Sequence, residues 1–174
     1  VNELGEKNTQ ALAEGLGNLK RHLRNLQTFG VPVLVAVNHF AADHESELDL
    51  IFDACRELGV TAELSDVWAE GAAGGAALAR SLMRILKEQP SQYAPLYAAS
   101  RNRKDKIQTI VTRLYGGNDV SCTPAASKAL VDFERRGFSE LPVCMAKTPY
   151  SFSDRASLLG APEGFTVNVS RVSL

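Results

Sequence analysis

The sequence predicts an α/β fold: a parallel βαβ-type sheet flanked by helices. Three observations predict it. Short apolar runs at 31–37, 60–64 and 141–146 are unalternated, as in strands covered on both faces. Helical stripes of apolar residues stand between them. Glycines follow the stripes where helices have to stop.

The first helix is expected from Glu6 to Phe29, where Leu12, Leu16, Leu19, Leu23 and Leu26 recur at helical spacing. Gly30 suits the position after its end, and Pro32 prevents continuation. Val31–Val37 reads as the first strand. Asp43 is the expected N-cap of the next helix, with Glu45 and Glu47 in its first turn. Leu48, Ile51, Phe52, Cys55 and Leu58 form its stripe, and Gly59 closes it. Val60–Leu64 is a second strand. A loop, SDVWAEGAAGG, leads to a helix from Gly75 to Lys87 with Leu78, Leu82 and Ile85 inward. Helix, strand, helix, strand, helix makes a βαβ unit with a right-handed crossover expected.

Pro90, Pro95 and weak periodicity mark 90–103 as a linker between segment 1–89 and segment 104–174. The second segment opens with a helix from Lys104 to Tyr115, stopped by Gly116-Gly117. Thr123-Pro124 gives an N-cap and an N1 proline for a helix reaching Arg136. LPVCMA (141–146) is a third strand, and the alternation of Phe165, Val167 and Val169 predicts a final strand with one wet face.

Composition narrows the function. The chain has 174 residues, 45% of them apolar and 22% charged, which suits a soluble globular protein with a proper core. A formal charge of −1 gives no nucleic-acid or membrane-surface signal. No apolar run approaches a membrane span. Three scattered cysteines argue against a disulfide framework or zinc knuckles and for a reducing, cytoplasmic setting. Without an initiating Met, the chain is expected to be cut from something longer.

Ligands of open parallel sheets gather beyond the carboxyl ends of the strands. Those ends carry Asn38-His39-Phe40, then Ser65-Asp66-Val67-Trp68, then Lys147-Thr148-Pro149-Tyr150. Phe40 is out of place in a polar turn unless it has a task. Neighbouring strands lie ~4.8 Å apart. A flat ring gripped on both faces needs ~7 Å, because stacked carbon surfaces meet near ~3.5 Å. Phe40 and Trp68 therefore suit a clamp for a planar heterocycle, worth about 1–3 kcal/mol per stacked face. A plug over the core is the alternative for either ring.

Asp66 and Glu70 flank Trp68 and suit a heterocycle's N–H groups; solvated loop acids are the plainer reading. Gly71–Gly75 suits either an anion or tight packing. Lys147 suits a carboxylate or phosphate, or simply a strand-end charge. The G-x-x-x-x-G-K-[ST] pattern is absent from the chain. His39, Asp43 and His44 fit no metal motif.

FGVPVLVAVNHF, LSDVWAEGAAGG, KIQTIVTRLYGGNDV, LPVCMAKTPYSFSD and GAPEGFTVNVSRVSL, in that order, resemble the later part of formate–tetrahydrofolate ligase over nearly the whole chain. The resemblance implies a fragment of a larger P-loop-type ligase that makes 10-formyltetrahydrofolate from ATP, formate and tetrahydrofolate through formyl phosphate. It implies that Phe40 and Trp68 stack on the pterin, with Leu64 lining the same pocket and Asp66, Glu70, Asn38, Lys147 and Thr148 as candidate polar groups. Ala41 replaces the family's usual proline, and His39 stands where Arg or another residue is common. The phosphate-binding loop, and with it ATP and Mg2+, is expected upstream of Val1, so no catalytic residue is assigned here and the chain alone is expected to be inactive. A homo-oligomer is implied; nucleic acid and membrane are not. A non-catalytic module that binds a ligand or protein through Phe40 and Trp68 is the alternative.

Overall fold

The computed structural model describes residues 6–146 and 151–174. The chain divides between Ala94 and Pro95 into two compact units, each with its own two-stranded parallel sheet.

The first unit runs α1 (Thr9–Gln27), β1 (Leu34–Asn38), α2 (Glu45–Glu57), β2 (Thr61–Ser65), α3 (Val67–Glu70), a 3-10 turn (Gly71–Gly75) and α4 (Ala76–Glu88). α1 starts later than expected because Asn8 caps it, its side-chain oxygen accepting from the Ala11 N–H at 2.9 Å. Gly30 takes a positive φ of 68° at the turn into the sheet. β1 and β2 pair in parallel from Leu34↔Thr61 to Asn38↔Ser65, joined through α2. Leu23, Cys55 and Val60 form the buried centre, with Leu19, Val33, Val35 and Ile51 packed around them. Leu26, at the end of the leucine stripe, is exposed.

Three expectations fail here for local reasons. The N-cap of α2 is His44, not Asp43. The Asp43 carboxylate instead accepts from the Phe40 N–H at 2.9 Å, while the Asp43 N–H donates to the Phe40 carbonyl. Leu82 is exposed; the inward row of α4 is Leu78, Ser81 and Ile85, because the Ser81 hydroxyl donates to the Glu63 carboxylate on β2. SDVWAEGAAGG is not a loop but α3 and the 3-10 turn. Residues 90–94 fold back on the first unit: Gln92 N–H donates to Gly30 O at 2.8 Å, and Tyr93 stacks on Phe29 with centroids 6.4 Å apart.

The second unit runs α5 (Arg103–Ile110) into a π turn (Val111–Tyr115), then β3 (Asp119–Cys122), α6 (Pro124–Arg135) and β4 (Thr166–Val169). Thr123 caps α6, its hydroxyl accepting from the Ala126 N–H. β3 and β4 are parallel, Asp119↔Thr166 to Cys122↔Val169. Val111, Phe165 and Val167 centre this core.

No strand forms over 141–146. Side chains occupy its backbone groups instead. The Tyr97 hydroxyl accepts from Val143 N–H at 3.0 Å, and Lys106 Nζ donates to the carbonyls of Ser139 and Leu141 at 2.8 and 3.1 Å. Pro142 has no N–H to offer a ladder.

Candidate functional site

The site is built at the carboxyl ends of β1 and β2. Parallel pairing sets Asn38 opposite Ser65, so the chains leave the sheet side by side. One ladder bond continues beyond it, His39 N–H to Ser65 O at 3.1 Å. The next residue on the first chain is Phe40, in the turn that Asp43 closes. On the second chain Asp66 starts α3, its carbonyl accepting from the N–H groups of Ala69 and Glu70 at 3.0 and 2.8 Å. That helical turn carries Trp68.

The two rings meet. Their centroids are 6.4 Å apart and their planes are inclined by 51°. Trp68 is 85% exposed and Phe40 52%. Neither is a plug over the core. The expected parallel slot is not open in this arrangement; the rings lean together over the space a flat ligand would take. Because both are exposed, rotation about their side-chain bonds can separate the faces without disturbing the core.

Leu64, Asp66 and Glu70 line a neighbouring concavity of about 390 Å³, together with Gly74 and Arg80. Phe40 and Trp68 do not line it. Asn38 is exposed at the last rung of β1. Lys147 and Thr148 lie outside the described residues. His39, unassigned from the sequence, faces Asp66 with Nδ1 2.6 Å from Oδ1, so one of the two oxygens expected for a heterocycle is already engaged. A parallel register that sets these two residues one step beyond the ladder was the signal available for finding that pair.

Gly74 holds the turn behind Trp68. Asp66 N–H donates to its carbonyl at 3.2 Å, and a Cβ at Gly74 would lie 2.4 Å from the Asp66 carbonyl oxygen. Backbone against backbone leaves nothing flexible to yield. Gly74→Ala is therefore expected to cost about 1–3 kcal/mol in urea unfolding, the range of core overpacking. An unchanged midpoint would show that the turn relaxes freely.

Other chemistry is sparse. Among the described residues, no group of three His, Cys, Asp or Glu is placed to hold a metal, and no helix is long and apolar enough to cross a membrane. All three cysteines are free. Burial raises the pKa of the Cys55 thiol, which keeps it from acting as a thiolate.

The formate–tetrahydrofolate ligase family model matches residues 1–174. The formate–tetrahydrofolate ligase of Lacticaseibacillus paracasei is 46% identical over 169 residues, which are 97% of this chain and 30% of that protein. The chain thus spans less than a third of the length of this curated relative. Agreement from end to end, at nearly every second position, makes the chain a member of the formate–tetrahydrofolate ligase family.

Proposed function

We propose that the chain is the folate-side portion of an ATP-dependent, P-loop-type ligase that forms 10-formyltetrahydrofolate from formate and tetrahydrofolate through formyl phosphate. The observation that carries this reading is the convergence of two exposed aromatic rings, Phe40 and Trp68, at the ends of adjacent parallel strands. Rotated face to face, they grip the pterin. Leu64 and Glu70 lie along the neighbouring concavity, Glu70 as an acceptor for the pterin's N–H groups and Leu64 as apolar wall. Asn38, Lys147 and Thr148 are further candidates for the polar edge.

The contribution of these residues is orientation. Tetrahydrofolate whose pterin is fixed in the slot presents its N10 amine, on the bridge beyond the ring, in one direction, toward an acyl group held elsewhere, and catalysis comes from proximity. The described residues do not fit a nucleotide's magnesium ion. The chain has no G-x-x-x-x-G-K-[ST], and its described residues offer no metal-holding cluster. The setting is the cytoplasm, with three free thiols, and the family resemblance carries a homo-oligomer, which sedimentation at two concentrations checks.

Titration with tetrahydrofolate is expected to quench Trp68, the single tryptophan, saturably. ATP, formate and tetrahydrofolate together are expected to give no turnover with the purified 174-residue chain. Emission unchanged by any folate would remove the ring site and favour a protein partner for the two exposed rings; turnover would refute the division of labour.

A further inference from the structure

We propose that His39 and Asp66 form a latch that sets the spacing of the two aromatic jaws, and that Asp66 is a positioning residue acting through His39 and not a ligand contact. The proposal deepens the folate reading above and rests on it for its binding arm alone.

The ladder between β1 and β2 ends at Asn38↔Ser65. Beyond it, strands diverge unless something ties them. One backbone bond, His39 N–H to Ser65 O at 3.1 Å, follows the last rung, and the side-chain pair adds a second tie at that level: His39 Nδ1 lies 2.6 Å from Asp66 Oδ1, both side chains about one-third exposed (30% and 34%). A carboxylate only accepts, so Nδ1–H donates. Asp66 is also fixed through its main chain. Its N–H reaches Gly74 O, and its carbonyl takes the N–H groups of Ala69 and Glu70, closing the helical turn that holds Trp68. His39 is bonded directly to Phe40, whose turn is closed by Asp43. Asp66 thus joins the carrier of one ring to the carrier of the other.

The consequence is a division of freedom. The backbones under the rings are held at one separation, while the exposed rings keep their rotations. Admission of a flat ligand then costs side-chain rotation and not strand separation, which is preorganisation. Asp66 makes no side-chain cap to α3, so removing its carboxylate does not uncap the helix.

The test uses the 174-residue chain with Asp66→Ala, Asp66→Asn, His39→Leu, His39→Asn and the double variant H39L/D66A. Asparagine at 66 keeps the accepting oxygen, and asparagine at 39 keeps an N–H close to the Nδ1 position. Asp66→Ala and His39→Leu are each expected to weaken tetrahydrofolate binding about tenfold, the range for a hydrogen bond to a charged group at a partly exposed site. The double variant is expected to be no weaker than either single, and the two asparagine variants to stay within about threefold of the parent. Without ligand, time-resolved anisotropy of Trp68 is expected to report a looser chain segment under the indole in the alanine and leucine variants but not in the asparagine ones. Losses that multiply in the double variant, or an Asp66→Asn as weak as Asp66→Ala, would make Asp66 a direct ligand group and overturn the latch. Failure of the parent chain to bind tetrahydrofolate removes the ring-site reading. The latch is then still judged by the ligand-free mobility of Trp68, and equal mobility in all variants overturns it.

Discussion

Replacing Trp68 with alanine is expected to weaken tetrahydrofolate binding by about ten- to a hundredfold, the equivalent of about 1–3 kcal/mol for one stacked face, and to leave the fold intact. The size of the effect follows from what the indole touches. It is 85% exposed and buries almost nothing against its own unit, so its removal takes no packing from the core. Its neighbour is the Phe40 ring, at 6.4 Å between centroids. A flat ligand between them loses half of its stacking surface when the indole goes. Calorimetric titration of Trp68→Ala checks the affinity, since the variant has no tryptophan emission to follow. A variant that binds as tightly as the parent would mean that the rings meet for some other reason, such as covering by a protein partner.

Lys106→Met is expected to lower the stability of the second unit by about 2–4 kcal/mol, because two carbonyls lose a charged donor at once. Lys106 is fully buried. Its Nζ donates to the carbonyls of Ser139 and Leu141, and its ammonium sits 5.9 Å from the centre of the Tyr97 ring. Methionine preserves most of the stem and its packing, so the loss measures the polar end. Urea unfolding of the two proteins side by side gives the difference. Equal midpoints would show that water replaces the ammonium at both carbonyls.

The same lysine explains where sequence reasoning stopped. LPVCMA has the composition of a buried strand, and composition says nothing about whether a neighbour is available to pair with it. Tyr97 and Lys106, respectively 46 and 35 residues away from the backbone atoms they bond, supply the partners that a ladder would have supplied. Conversely β3 went unseen. Asp119–Cys122 is four residues with a single β-branched side chain, and it becomes a strand because Thr166–Val169 lies beside it. Elements set by local rules were legible: the leucine stripe of α1, the two strands of the first unit, and the Thr123-Pro124 start of α6. Leu78 and Ile85 face inward as the stripe predicts, but between them a polar bond, Ser81 to Glu63, takes the place expected of Leu82.

At the candidate site, the exposure of the two rings was legible, because an aromatic placed just past the end of a strand has no core to enter. Their tilt was not, since it depends on side-chain rotations of exposed groups. The His39–Asp66 link was legible only through the strand register. It joins residues 27 apart, and only the register of β1 on β2 brings them level.

The exposure of Trp68 has an experimental corollary. A fluorophore already bathed in solvent changes little when the polypeptide around it melts, so intrinsic emission will stay nearly flat through a denaturation curve while helical ellipticity collapses. Occupancy and melting can therefore be followed in one cuvette by two optical channels with little crosstalk.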